Sequence, residues 1–99
     1  MESKVKFQIK EFDEFIILEF FIEGGILNPE DLRTIELPPL PYNKGIAISG
    51  RGPVWLYCNL THLLHPARWI ATYEPRTNSI IVVASHVNTY RPGDVIELE

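Results

Sequence analysis

A single α/β domain is the fold class this sequence predicts: a small mixed sheet of five or six strands with two helices, spanning residues 1–99. Three observations predict it. Several short stretches rich in Val, Ile and Phe either alternate in polarity or run apolar for the length of one strand. Two other segments open with helix-start signals. The chain of 99 residues, 45% apolar, is long enough for one core and too short for two.

Val5, Phe7 and Ile9 alternate with Lys6, Gln8 and Lys10, the pattern of a half-buried strand. Phe15 to Ile22 is a nearly continuous apolar run suited to a more central strand, and Glu11-Phe12-Asp13-Glu14 forms the hairpin between the two. Asn28-Pro29-Glu30-Asp31 reads as a helix start, with Asn as N-cap, Pro in the first position and acids in the first turn, followed by a short helix through Leu32 and Ile35. The proline-rich stretch Leu37 to Asn43 is a stiff connection. Ile46 to Ser49 is the third strand. It runs into Gly50-Arg51-Gly52-Pro53, and a helix from Pro53 to His65 follows, with Pro53 at its first position, where a missing N–H costs nothing. Arg68 to Glu74 and Ser79 to Val87 are two further strands, and Val95 to Leu98 adds an edge strand. The strand-helix-strand unit from Ile46 to Tyr73 predicts a right-handed parallel crossover.

On the helix, Leu56, Leu60, Leu63 and Leu64 share a face that packs on the sheet, while Trp55, Cys58, His62 and His65 fall on the other side. Cys58, His62 and His65 have the spacing to touch one metal ion, yet a trio on one helix without a second ligand pair is a weak motif, and a subunit interface or partly exposed histidines are the favoured account. Cys58 is the single cysteine, which excludes an intrachain disulfide and fits a reducing cytoplasm. The first residues lack the basic start and apolar core of a secretory signal, and no apolar run reaches the ~18 residues of a membrane span. A cytoplasmic protein without a membrane partner is expected.

The net charge of −4 conceals a segregation. Met1 to Asn43 carries four basic against nine acidic residues, whereas Lys44 to Pro92 carries five basic residues against Glu74 alone. An acidic chain with a basic second half suits a small phosphate-bearing ligand better than long DNA, which needs a wide basic face. The turn after Ser49 has the right chemistry: Gly50 and Gly52 allow close backbone approach, the helix start offers free N–H groups, and Arg51 stands beside them. Tyr73-Glu74-Pro75-Arg76 follows the neighbouring parallel strand, and in open sheets ligands gather at that edge. Glu74 suits a divalent metal or a proton, and Arg76 a phosphate; an exposed ion pair closing a turn explains the same spacing. Ser85-His86 joins either this site or a neighbouring subunit. Trp55, Tyr57, Trp69 and Tyr73 are aromatic faces on which an adenine can stack, Trp55 foremost because it leaves the leucine face.

The stretch from Lys44 through Ser-Gly-Arg-Gly-Pro-Val-Trp-Leu, with His62, His65, Tyr73-Glu74-Pro75-Arg76, Ser85-His86 and Pro92-Gly93-Asp94-Val95-Ile96, resembles the small ring-nuclease family of type III CRISPR systems. The resemblance covers most of Lys44 to Leu98. It implies a compact relative of the CRISPR-associated Rossmann-like fold, forming homodimers that stack into tetramers or filaments. Such proteins bind cyclic tetra-adenylate between stacked dimers and cleave it to linear di-adenylate in a manganese-dependent reaction, which switches off antiviral signalling. It also implies ligand contacts at Ser49, Gly50, Arg51, Gly52 and Trp55, catalytic roles for His65, Glu74 and Arg76, and a divalent metal, manganese, with Glu74 and His86 as candidate ligands. Where the family pattern has Asp, this chain has Glu74, one methylene longer. Two other activities fit the same residues: a module that senses or sequesters the cyclic oligoadenylate without cutting it, and an exonuclease that trims adenylate ends from short RNA.

Overall fold

The computed structural model describes residues 2–98. Six strands form one sheet in the order β1 (Val5–Glu11), β2 (Phe15–Ile22), β3 (Gly45–Ser49), β4 (Trp69–Glu74), β5 (Ser79–Ser85), β6 (Val95–Glu97). Sequence neighbours are therefore sheet neighbours throughout. The central pairs β2–β3 and β3–β4 are parallel and the outer pairs are antiparallel, so this is the mixed sheet the pattern predicts. The continuous apolar runs are the central strands, because both of their faces are covered. Ile46, Ala47 and Ile48 of β3 are fully buried, whereas β1 exposes Lys6, Gln8 and Lys10.

One face of the sheet packs against α1 (Val54–Leu63) and the loop that precedes β3. Leu56, Leu60 and Leu64 insert here among Ile16, Leu18, Phe20, Ile46 and Ile48, each fully buried leucine contributing about 1.5–3 kcal/mol of transfer free energy. Leu63, expected in this set, lies on the rim and is exposed; Trp55, expected to leave it, packs partly buried against the same core. On the other face, Ile17, Ala47, Ala71, Ile80 and Val82 form a second cluster around Trp69. The segment after β5 covers it. Tyr90 stacks on Trp69 with ring centroids 4.5 Å apart and donates a hydrogen bond to Glu14 at 2.8 Å. Gly45 is required there, because a Cβ would fall inside the Trp69 indole.

The helical segments differ from expectation in extent. The stretch after Asn28 is a short 3₁₀ helix, Pro29–Thr34, with Pro29 at its start and the Asn28 N–H bound to the Asp31 carboxylate at 2.8 Å. Pro53 is the N-cap of α1, not its first helical residue, with ψ at 156°. The helix stops at Leu63 because Pro66 follows within one turn and bars the residue before it from helical geometry. His65 thus lies beyond the helix, and His86 lies beyond β5, which ends at Ser85. No helix among the described residues is long and apolar enough to cross a membrane.

Candidate functional site

The parallel strands give the sheet two unlike ends. At their carboxyl ends opens a cleft of about 690 Å³, lined by Glu19 and Phe21 of β2, Gly25, Ser49-Gly50-Arg51, Tyr57 of α1, and Tyr73 and Pro75. Its position follows from topology: β2, β3 and β4 run in the same direction, so the chain leaves all three at this edge. Ser49, Gly50 and Arg51 line it as the sequence predicts.

Two contacts hold the loop after Ser49 in place. The Tyr57 hydroxyl donates to the Gly50 carbonyl at 2.7 Å, and burial pushes the phenol above its ordinary pKa, which keeps that proton in place. Gly50 has φ +146°, and a Cβ there would sit 2.7 Å from the Phe20 carbonyl oxygen, so only glycine fits. Gly52 serves packing: its missing side chain makes room for the Phe20 ring, whose Cε1 would lie 2.8 Å from a Cβ. Trp55 does not line the cleft. Tyr57 and Tyr73 are the aromatic groups that do.

Beside the cleft, Arg76 grips Glu74 through two side-chain hydrogen bonds, Nε to Oε2 at 2.8 Å and Nη2 to Oε1 at 3.1 Å, and the Arg76 backbone N–H adds a third at 3.2 Å. These bonds hold the Glu74 carboxyl down to about 2. Glu74 is therefore a carboxylate committed to Arg76. The guanidinium is exposed and keeps three of its five N–H donors for another partner.

At the amino ends of the same strands stand the two histidines. The His65 and His86 rings meet edge to face, centroids 4.9 Å apart, and His86 Nε2 lies 3.0 Å from the His65 carbonyl oxygen. Arg68 and Lys44 flank them, joined through the Arg68 N–H to the Lys44 carbonyl and the His86 N–H to the Arg68 carbonyl. The register pairs Glu74 with Ser79 and Trp69 with Ser85, so Glu74 and His86 occupy opposite ends of the β4–β5 ladder, about 16 Å of strand apart. They cannot ligate one ion within a chain, which corrects the expected Glu74–His86 pair. Nor do His65, Glu74 and Arg76 converge within a chain. Cys58, His62 and His65 form no metal cluster either: among the described residues no group of three or more His, Cys, Asp or Glu stands ready to hold a metal.

The cleft also contains Glu19, Phe21 and Gly25, which pattern reasoning passed over. The signal for Glu19 was present, since it is the one charged residue interrupting the apolar run of β2.

Fold and cleft together define a small α/β domain that opens its main cleft at the carboxyl ends of parallel strands. The family model of the CRISPR-associated protein Cas_csx3 matches residues 20–97, from within β2 to the end of β6, and the chain belongs to this family. An uncharacterized protein of Aquifex aeolicus (strain VF5) is 38% identical over 103 aligned positions, covering 99% of this chain and 92% of that protein.

Proposed function

We propose that this chain is a ring nuclease of type III CRISPR immunity, which opens cyclic tetra-adenylate to linear di-adenylate and so ends the signal that the ring carries. One observation supports the reading above the others: the phosphate-binding chemistry and the acid–base chemistry lie at opposite ends of the sheet. Stacked end to end, the histidine end of one copy faces the cleft of the next, and a composite site closes around a ligand held between them. Head-to-tail contacts of this kind build stacks or filaments from dimers.

In that site the Gly50-Arg51-Gly52 loop and the start of α1 hold a phosphate of the ring, with Arg51 as a charge-assisted donor. Arg76, oriented by Glu74, directs its free N–H groups to the scissile phosphate and stabilises the charge that develops on it. His65 from the facing copy moves the proton, and His86 fixes the His65 segment by its contact with the carbonyl. Tyr57 and Tyr73 border the space available to the bases. Among the described residues of one chain no group of three or more His, Cys, Asp or Glu could hold manganese. A manganese ion would be held between copies, by Glu74 of one and His86 of the next, and would add positive charge at the scissile phosphate.

The test is incubation of the pure protein with cyclic tetra-adenylate, with manganese or with chelator, and separation of the products by chromatography. Linear di-adenylate is the expected product. Tight binding with the ring unchanged would leave a binding module instead, and no binding would refute both readings.

A further inference from the structure

One group in the cleft has no use in the phosphate contacts described above. Glu19 is half-buried, lies beside Ser49 across the parallel ladder and beside Gln8 across the antiparallel one, and lines the cleft with Arg51 and Tyr73. Among the described residues its carboxylate forms none of the ion pairs, which are Lys4–Asp31, Lys44–Glu11 and Arg76–Glu74. An ionised carboxylate accepts hydrogen bonds and donates none, and it repels a phosphate. Partial burial without a partner is also unfavourable until a donor arrives. The part of a ligand that meets Glu19 is therefore an N–H or O–H group.

The register restricts which one. Glu19 and Ser49 are paired positions on adjacent strands, one strand spacing of about 4.8 Å apart, and Arg51, in the middle of the phosphate loop, lies two residues after Ser49. A donor that close to a phosphate on a ribonucleotide is the ribose 2′-hydroxyl; the exocyclic amine of adenine extends away on the base. Acidic side chains serve ribose hydroxyls in the same way in other open α/β sheets. We propose that Glu19 accepts a hydrogen bond from the 2′-hydroxyl of the bound nucleotide and makes the cleft select ribose over deoxyribose. The proposal rests on the oligoadenylate reading of the cleft.

Calorimetric titration of the full chain with cyclic tetra-adenylate and with its all-2′-deoxy counterpart tests it. The unmodified protein binds the ribose ring about tenfold or more tightly than the deoxy ring, the range of a hydrogen bond to a charged group. Glu19→Ala brings the two affinities within about twofold, chiefly by weakening the ribose ring. Glu19→Leu suits the apolar strand and gives the same result should the alanine variant not fold. Glu19→Gln keeps a carbonyl acceptor and an intermediate preference. A ribose preference undiminished in Glu19→Ala or Glu19→Leu, or equal binding of both rings by the unmodified protein, overturns the proposal and leaves the cleft reading standing. Failure of the unmodified protein to bind either ring overturns both.

Discussion

The carboxyl and amino ends of the parallel strands both carry polar and charged side chains but hold them in different ways. At the carboxyl end the groups surround a concave space and are locked by one another: Tyr57 to Gly50, Arg76 to Glu74, the loop to Phe20. At the amino end His65, His86, Arg68 and Lys44 are held by backbone contacts in the segments flanking the strands. The basic half of the sequence is thereby divided between two edges rather than gathered in one cleft. Arg51 and Glu19 both line the cleft and Arg76 is paired with Glu74 beside it, so the formal charges of these four groups cancel within one copy. In the proposed stack a second copy, bringing Arg68 and the histidines, would supply the positive charge that the cleft lacks.

The largest expected effect falls on the amino end. His65→Ala lowers the turnover of cyclic tetra-adenylate by about 10²- to 10⁴-fold, the range for loss of a proton-transfer group, while leaving the dissociation constant nearly unchanged. Single-turnover kinetics beside equilibrium titration separate the two quantities, and an equal loss in both would merge the ends into one binding surface. At the carboxyl end the pattern reverses. Arg51→Ala weakens binding by about 1–3 kcal/mol, the cost of a charge-assisted contact to phosphate, and the loss shrinks as salt is raised.

The smallest effect is on stability and concerns the Glu74–Arg76 pair. Arg76→Gln removes the guanidinium that holds the Glu74 carboxyl at about 2, and the group returns toward its ordinary 4.5, which a carboxyl carbon NMR titration reads directly. The folded value lies below the ordinary one. The pair's contribution to stability is accordingly full above pH 4.5 and disappears as the pH falls toward 2. At neutral pH the melting temperature changes little, because the pair is open to solvent.

The sheet was legible because its signals are local. Alternation in β1, the nearly continuous run of β2 and the turn residues between strands each follow from which faces are buried, and every expected strand is present within a few residues. The helix ends were harder to read. Pro53 fits an N-cap as well as a first turn, and Pro66 ended α1 before His65 although the polarity pattern continued. The loop Ser49-Gly50-Arg51 could be placed at this edge because glycines mark a strand–helix junction, although Gly50 and Gly52 also make room for Phe20. Convergence was not. Two residues at strand ends, Glu74 closing β4 and His86 just after β5, look equivalent in a sequence, and only the antiparallel register sends them to opposite edges. Glu19 was missed because one charge inside an apolar strand looks like a surface position until the cleft above it is known.

Mixing two inactive variants tests the division of labour most directly. His65→Ala keeps an intact cleft and Arg76→Ala keeps an intact histidine end, so in a mixed stack one junction in about four joins two intact ends. Cleavage of cyclic tetra-adenylate by the mixture should recover to about a quarter of the unmodified rate. A mixture no more active than its separate components would contradict a site assembled from opposite ends of two copies.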